Sequence, residues 1–208
     1  MVGKKGTMRR IVATATCYRD GCGGTMEGRK GEYKYVECGL DSVILKDILV
    51  YHCTKCNAIV PEIPAAGVLH RVIALRLLNK TTLLTGGELR FLRKLCGYSV
   101  NEFSEIMGSS KAVVSRWETQ SSHGEGTDRT VRLLALGKLV REIAGHPDPI
   151  LRNVTVEQLS GEILTTLKTL VARREHERYE ISPEEIARFS GEQAAEPVAS
   201  GKPVASVM

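Results

Sequence analysis

The sequence predicts a mainly α-helical fold, in which a small β-rich N-terminal domain precedes a helical bundle and further C-terminal helices. Five of the six cysteines precede residue 57, in a stretch where short β-type runs are separated by glycines. From residue 65 onward, apolar residues recur at helical spacing between capping motifs. Aromatic residues make up only 5% of the chain, which favours small helical units over one large core.

Composition and charge narrow the functional classes. The 208 residues include 42% apolar and 25% charged residues, the balance of an ordinary globular protein. No apolar run reaches the about 18 residues of a membrane-spanning helix, and the basic start is followed by too short an apolar patch for a secretory signal. We therefore expect a cytoplasmic protein without a membrane partner. The net charge of +5 permits nucleic-acid binding without establishing it.

The first predicted unit is a domain over residues 1–62. Glu32–Val36 alternates polar and larger side chains, and Asp41–Tyr51 is rich in Val, Ile and Leu, so both are predicted to be short strands. Residues 63–84 are predicted to link this domain to the next one, with a helix over Ala65–Asn79 in which apolar residues recur at helical spacing.

Capping motifs predict four helices in the next unit, residues 85–146. Two Ser/Thr residues are each followed three positions later by Glu, which is a capping box: the hydroxyl accepts a backbone N–H and the carboxylate reaches back. Glycines end the first two helices. The four helices begin after Thr85, after Ser99, at Lys111 and near Thr127.

Two more helix signals predict a C-terminal helical extension over residues 147–189. One helix starts at the Thr155–Gln158 capping box, and a short one at Ser182-Pro183, because Pro is favoured at the first helical position. Residues 190–208 are dominated by small residues and Pro without any period, which predicts a disordered tail. The first of these helices carries an apolar stripe of Leu159, Ile163, Leu167 and Leu170.

The cysteine spacing predicts a metal site. Cys53 and Cys56 are separated by two residues, so a tight turn aims both sulfur atoms at one ion, and Cys17 and Cys22 supply two more ligands. Thiolates suit Zn²⁺, and a unit of this size with few large apolar side chains gains much of its folding free energy from such an ion. We expect a closed, structural zinc site in a zinc-ribbon-like domain.

Other roles for the cysteines are open at this stage. Disulfides would need an oxidising compartment, and a redox-active Cys53–Cys56 pair would need a βαβ context. Cys38 could replace Cys17 or Cys22 as a ligand, whereas Cys96 is expected to be a small core residue.

No pattern in the chain is typical of an enzyme. We find no Ser/His/Asp set, no Gly-rich phosphate loop after a buried strand and no clear carboxylate pair, which are the usual marks of a catalytic site. A closed four-cysteine zinc site also lacks the open position that catalytic zinc needs. We therefore expect no catalytic residues.

Residues 88–118 show the periodicity of a helix-turn-helix. In the third helix of the bundle, Val114 and Trp117 are three residues apart and are expected to face inward. A recognition helix needs one buried face and one that offers donors to base edges and phosphates. A plain helical bundle with a solvated charged face would show the same period. The positions left exposed on the third helix are Lys111, Ala112, Ser115 and Arg116.

The order of residues resembles the Xre/Cro/phage-repressor type of helix-turn-helix domain. The matching positions are Leu89-x-x-Leu92-Arg93, Gly97, Ser99, Glu102, Gly108 and Val114-Ser115-Arg116-Trp117-Glu118. Together with the cysteine domain and the segment Val60–Pro64, this unit resembles the MqsA/YgiT-type zinc-finger regulators over about residues 17–140. Many of those regulators are antitoxins of type II toxin–antitoxin pairs.

The resemblance implies a DNA-binding transcriptional regulator, an autorepressing antitoxin whose zinc domain binds a toxin. In the family, the Arg of the Ser-Arg-aromatic-Glu match reads DNA, which is Arg116 here. A further contact position, Asn in some members, falls on Ala112, which cannot donate. We expect Arg116 to bind guanine and Lys111 to bind a base or a phosphate. The phosphate contacts are expected from Ser110, Ser115 and Arg129.

Two further expectations concern partners. Helix-turn-helix proteins commonly read two half-sites of double-stranded DNA as dimers, so we expect a homodimer. The dimer contact could come from the Leu159–Leu170 stripe or from the helix around Leu133–Val140. The alternative is that both pack within one chain. The alternative function is an adaptor, in which the zinc domain binds a protein or RNA and the helix-turn-helix only supports it.

Overall fold

A computed structural model describes residues 10–145 and 156–190 of the chain. Helices make up 48% and strands 22% of these residues, and five strands form one sheet. The prediction of a mainly α fold is therefore wrong. The disordered tail predicted from residue 190 is outside the described residues from 191 onward, and so is Thr155 of the predicted capping box.

The sheet is built around one long antiparallel hairpin. Its strands are β2 (Thr25–Lys34) and β3 (Val43–Cys53), of 10 and 11 residues, whereas the sequence predicted only short strands. Strands β1 (Ala13–Thr16) and β4 (Ile59–Pro61) flank it in the order β1-β2-β3-β4, all antiparallel. This length is the main reason why the strand content exceeds that of a mainly α fold.

A bulge lets both ends of β3 contribute to one core. Between the pairs Gly31↔Ile48 and Tyr33↔Leu45, β3 has one residue more than β2. Asp47 in this bulge has a left-handed φ of 53°, and a residue inserted in one strand shifts the side-chain alternation by one. The side chains that consequently share the large core are Val43, Leu45, Ile48 and Val50.

The predicted linking helix is a central element of that core. Helix α1 spans Ala66–Leu78, and six of its residues are buried because they lie against the helical unit on one side and the C-terminal extension on the other. A segment predicted to connect two domains is therefore part of the shared core. Its buried residues are Leu69, Val72, Ile73, Ala74, Leu77 and Leu78.

The capped helices of the next unit form as the sequence predicts. After the two-residue strand β5 (Thr82–Leu83), both capping boxes are present, at Thr85 with Glu88 and at Ser99 with Glu102. The four helices are α2 (Gly86–Leu95), α3 (Val100–Ile106), α4 (Lys111–Gln120) and α5 (Glu125–Gly145).

The C-terminal extension contains strands as well as helices, which corrects the prediction of C-terminal helices alone. Helix α6 (Val156–Lys168) is followed by β6 (Val171–Arg174), β7 (Tyr179–Ile181) and α7 (Pro183–Ser190). Strand β6 pairs in parallel with β5, and β7 pairs in parallel with β3 as the fifth strand of the sheet.

One hydrophobic core joins these units. It contains residues of the hairpin, of α1, of the four-helix unit and of the extension. Of the apolar stripe on α6, Leu159, Ile163 and Leu167 are buried within this chain, so that stripe is used for intramolecular packing. Among the described residues, no helix combines the length and the hydropathy needed to cross a membrane.

Candidate functional site

Four cysteines converge at one end of the sheet. Cys17 follows β1, Cys22 lies in the loop before β2, Cys53 is the last residue of β3, and Cys56 lies in the turn before β4. The antiparallel register places Met26 opposite both Ala15 and Cys53, which brings the two cysteine-bearing loops together. All four sulfur atoms lie within 4.8 Å of one another.

The distances between the sulfur atoms fit a shared metal ion. Cys17 Sγ and Cys56 Sγ are 3.6 Å apart, and Cys22 Sγ and Cys53 Sγ are 3.7 Å apart. A tetrahedral ion with metal–sulfur bonds of about 2.3 Å separates its sulfur ligands by roughly 3.8 Å. All four cysteines are free thiols. The cluster is therefore compatible with a structural metal site.

Local backbone geometry favours the thiolate form of Cys53. The backbone N–H groups of Lys55 and Cys56 lie 3.4 and 3.5 Å from Cys53 Sγ. These donors, that of Cys56 foremost, favour the thiolate and lower the pKa of Cys53 to about 6. Thiolates, not thiols, are the ligands of metal ions.

A glycine allows the two loops to approach each other. A Cβ atom on Gly24 would lie 2.8 Å from Lys55 Cβ and 2.9 Å from Cys53 Sγ, closer than van der Waals contact allows. A residue with a side chain at this position would push the first loop away from Cys53. Of the glycines in this loop, Gly24 is therefore required for a steric reason.

The remaining cysteines lie elsewhere. Cys38 donates from its thiol to the Tyr35 carbonyl at 3.1 Å, and burial raises its pKa. It is not part of the metal-type cluster, so the structure does not support Cys38 as a replacement for Cys17 or Cys22. Cys96 packs against the large core, as the sequence predicts.

A second candidate site is the helix-turn-helix formed by α3 and α4. On α4, Val114 and Glu118 are buried and Trp117 is half-buried against the core. The opposite face lies in solvent, so the helix has the one-sided burial that the periodicity predicts. The exposed residues at its start and on this face include Ser110, Lys111, Ala112, Ser115 and Arg116.

The exposed cations of α4 differ in environment from Arg129. Within the described part of the chain, no ion pair involves Lys111 or Arg116, whereas Arg129 pairs with Glu125 at 3.1 Å on α5. The hydroxyl of Ser110 caps α4 by accepting from the Val113 N–H at 3.4 Å. Lys111 and Arg116 are therefore free to contact a ligand, and Ser110 already has a structural role.

A buried ion pair holds α4 against α2. Arg93 donates from Nε to Glu118 Oε1 at 2.5 Å and from Nη1 to the Tyr98 carbonyl at 2.6 Å. Arg90 Nε lies 3.1 Å from Glu118 Oε2. In the sequence, Arg93 and Glu118 stand out only as matched motif positions. The pairing was not inferred, because two charged residues 25 positions apart give no periodic signal.

Comparison with protein-family models, with curated proteins and with solved structures finds no match for this chain. The protein thus combines a metal-type cysteine cluster at the end of a sheet with a candidate helix-turn-helix, whose helices pack in the same large core as the sheet. Membership of the zinc-finger regulator family therefore stays a prediction based on the matching motif residues.

Proposed function

We propose that this chain is a cytoplasmic, sequence-specific DNA-binding transcription regulator with a structural Zn²⁺ site, and that α4 reads the DNA. The observation that carries the proposal is the two-sided environment of α4. One face is fixed in the core through Val114 and Glu118, and the other presents Lys111 and Arg116 without ion-pair partners among the described residues. A rigid helix with exposed donors is what major-groove recognition requires.

Arg116 has the chemistry to specify sequence. A guanidinium donates two parallel hydrogen bonds to guanine O6 and N7, whereas the ammonium of Lys111 acts as a compact charge that suits either a base or a phosphate. Ser115 offers a hydroxyl to a phosphate, and Ala112 leaves an apolar surface that suits a thymine methyl group. Arg129 would reach a phosphate after releasing Glu125.

The metal has a structural role in this proposal. Four thiolates leave no open position on a tetrahedral Zn²⁺ ion, so Cys17, Cys22, Cys53 and Cys56 would hold it without chemistry at the metal. The exposed Tyr18 and Ile59, 51% and 52% accessible, lie beside this site in sequence. Both side chains are candidate contacts for the protein partner that an antitoxin role implies.

The function is tested by replacing Arg116 with Ala. Binding to a duplex of the chain's own promoter should weaken by about 1–3 kcal/mol, the discrimination carried by one bidentate base contact. Binding to a scrambled duplex should weaken much less, because non-specific affinity is shared among many phosphate contacts. Fluorescence anisotropy across a salt series measures both, and a melting curve verifies that the variant is folded.

Lys111→Ala is the matched control on the same face. If Lys111 contacts only phosphate, its loss should weaken binding to both duplexes equally and reduce the salt slope by roughly one counterion. A folded Arg116→Ala protein with undiminished discrimination would show that α4 is not the reader. The adaptor function would then be favoured.

The antitoxin role and the homodimer extend the proposal. An autorepressing antitoxin should repress its own promoter in a reporter strain and neutralise a toxin encoded by the adjacent gene. An unaltered toxic effect on co-expression would contradict this role. Sedimentation of the promoter complex should show two chains per duplex, and a single chain at micromolar concentration would count against the dimer.

A further inference from the structure

The C-terminal extension contacts the segment that leads into the helix-turn-helix. Strand β6 runs parallel to β5, with the Val171 N–H bonded to the Thr81 carbonyl at 2.9 Å and Arg174 paired with Leu83. The buried Lys80 ammonium donates to the Glu175 carbonyl at 2.6 Å. Residues 171–175 are therefore fixed next to the start of α2.

Arg174 carries this contact to the loop that follows α4. Its Nε donates to the Leu84 carbonyl at 3.3 Å, and its Nη2 donates to the His123 carbonyl. Leu84 directly precedes the Thr85 cap of α2, and His123 lies three residues beyond Gln120, the last residue of α4. One side chain thus connects the entrance of the first helix to the exit of the candidate reading helix.

The loop between α4 and α5 has few other bonds. Ser121 has a left-handed φ of 52° and accepts from the Gly86 N–H at 2.6 Å. The ring of His123 is buried, with Nε2 3.6 Å from Asp128 Oδ2, and the Asp128 N–H donates to the Gly124 carbonyl at 3.0 Å. The carbonyl of His123, which accepts from Arg174, is the point at which the extension holds this loop.

We infer that Arg174 is a positioning residue for DNA reading: it holds the α4–α5 loop and thereby sets the orientation of α4. The inference rests on the proposed DNA-binding function. It gives a role in that function to the C-terminal extension, which lies outside the region that resembles the zinc-finger regulators. Base contacts tolerate little misplacement, so the segments that support a recognition helix contribute to affinity without touching a base.

The test compares three variants of the full-length protein: Arg174→Ala, Arg174→Lys and the control Arg173→Ala. Arg173 is the neighbouring cation, with a side chain that is 67% exposed and paired with Glu175. Arg174→Ala should bind the promoter duplex about three- to tenfold more weakly, as expected for the loss of one or two exposed hydrogen bonds from a charged donor. Arg174→Lys should recover part of this loss, and Arg173→Ala should bind like the unmodified protein.

Two readouts separate positioning from other roles. The salt slope should not change in Arg174→Ala, because no phosphate contact is lost, and amide exchange in Ser121–Gly124 should accelerate while the interior of α5 stays protected. Three results would each overturn the inference: full promoter affinity in folded Arg174→Ala, unchanged amide exchange in the α4–α5 loop, or a salt slope reduced by about one counterion. If the unmodified protein does not discriminate between promoter and scrambled DNA, the proposed function is wrong. The exchange measurement then still tests whether Arg174 holds the α4–α5 loop.

Discussion

At the scale of single residues, Cys56 and Cys38 differ in what surrounds them. Cys56 Sγ lies in the four-sulfur cluster, 3.6 Å from Cys17 Sγ, whereas Cys38 bonds a backbone carbonyl at 3.1 Å. A ligand thiolate contributes to metal affinity, and a thiol bonded to a carbonyl does not. The two cysteines therefore provide a candidate ligand and a matched cysteine outside the cluster.

Replacing Cys56 with Ser should remove the metal. We expect one zinc per chain in the unmodified protein and in Cys38→Ser, and much less than one in Cys56→Ser, because three thiolates and a hydroxyl form a weaker site. Metal analysis of the purified proteins by mass spectrometry measures the content. Stoichiometric zinc in Cys56→Ser would exclude the four-thiolate site.

Arg132 shows how a single residue can satisfy the end of a helix. It is fully buried, and its guanidinium donates to Asp128 and to the carbonyls of Leu77, Leu78, Lys80 and Thr82. The last carbonyls of a helix have no partner within it, and a cation there also complements the helix dipole. Arg132 thus caps α1 from α5 with its charge balanced by Asp128.

At the scale of elements, the contact between α2 and α4 depends on a glycine. A Cβ atom on Gly86 would lie 2.4 Å from the Glu118 carbonyl oxygen and 2.6 Å from that of Trp117, both backbone atoms. On Gly87 the nearest neighbour would be Leu40 Cδ2 at 3.8 Å. Two adjacent glycines in the first turn of α2 therefore have different roles.

Gly86→Ala should destabilise the protein, and Gly87→Ala should not. The first forces two helices apart, which costs about 1–3 kcal/mol as for other overpacked sites. The second adds a residue with higher helix propensity in a free space, which is neutral or stabilising by up to about 1 kcal/mol. Urea unfolding of both variants measures the difference. Equal stabilities would show that α4 does not approach α2 this closely.

At the scale of the whole molecule, the buried polar residues connect segments distant in sequence. Glu88 accepts from Lys80 Nζ at 2.9 Å and from Tyr179 Oη at 2.9 Å, and all three residues are buried. Tyr179 belongs to β7 and thus to the same sheet as the cysteine-bearing hairpin. The four-helix unit α2–α5, the sheet and the extension consequently share one core, and the Lys80–Glu88–Tyr179 contacts connect them.

The metal-type cluster has a core of its own. Cys17, Met26, Cys53 and Ala58 form a small buried group, whereas the far half of the hairpin packs in the large core. Chelation should therefore unfold only residues 17–28 and 51–61, because the remaining hairpin keeps its apolar contacts without the ion.

Hydrogen exchange with and without a chelator measures this division. Protection should be lost at Met26 and Cys53 and retained at Val43, Leu45 and the buried residues of α1, since exchange reports the stability of each region separately. Uniform loss of protection would mean that the ion supports the whole fold. Uniform retention would mean that it supports none of it.

The sequence by itself determined the features that depend on local spacing. The spacings within the pairs Cys17–Cys22 and Cys53–Cys56, the capping boxes at Thr85 and Ser99 and the inward face of α4 involve residues within a few positions of one another, where turn and helix geometry dictate which groups meet. Only β2 was underestimated, as Glu32–Val36 in place of Thr25–Lys34, because Gly28 and Gly31 interrupt the side-chain alternation from which strands are recognised.

Only the tertiary structure decided how these parts are joined. The pairing of β7 with β3, the Arg93–Glu118 ion pair and the Arg174 bonds to Leu84 and His123 connect residues 25 or more positions apart. Such contacts have no period in the sequence, since they depend on which surfaces the chain buries together. The division of the chain into separate units was thus a local inference, whereas the shared core is a property of the complete fold.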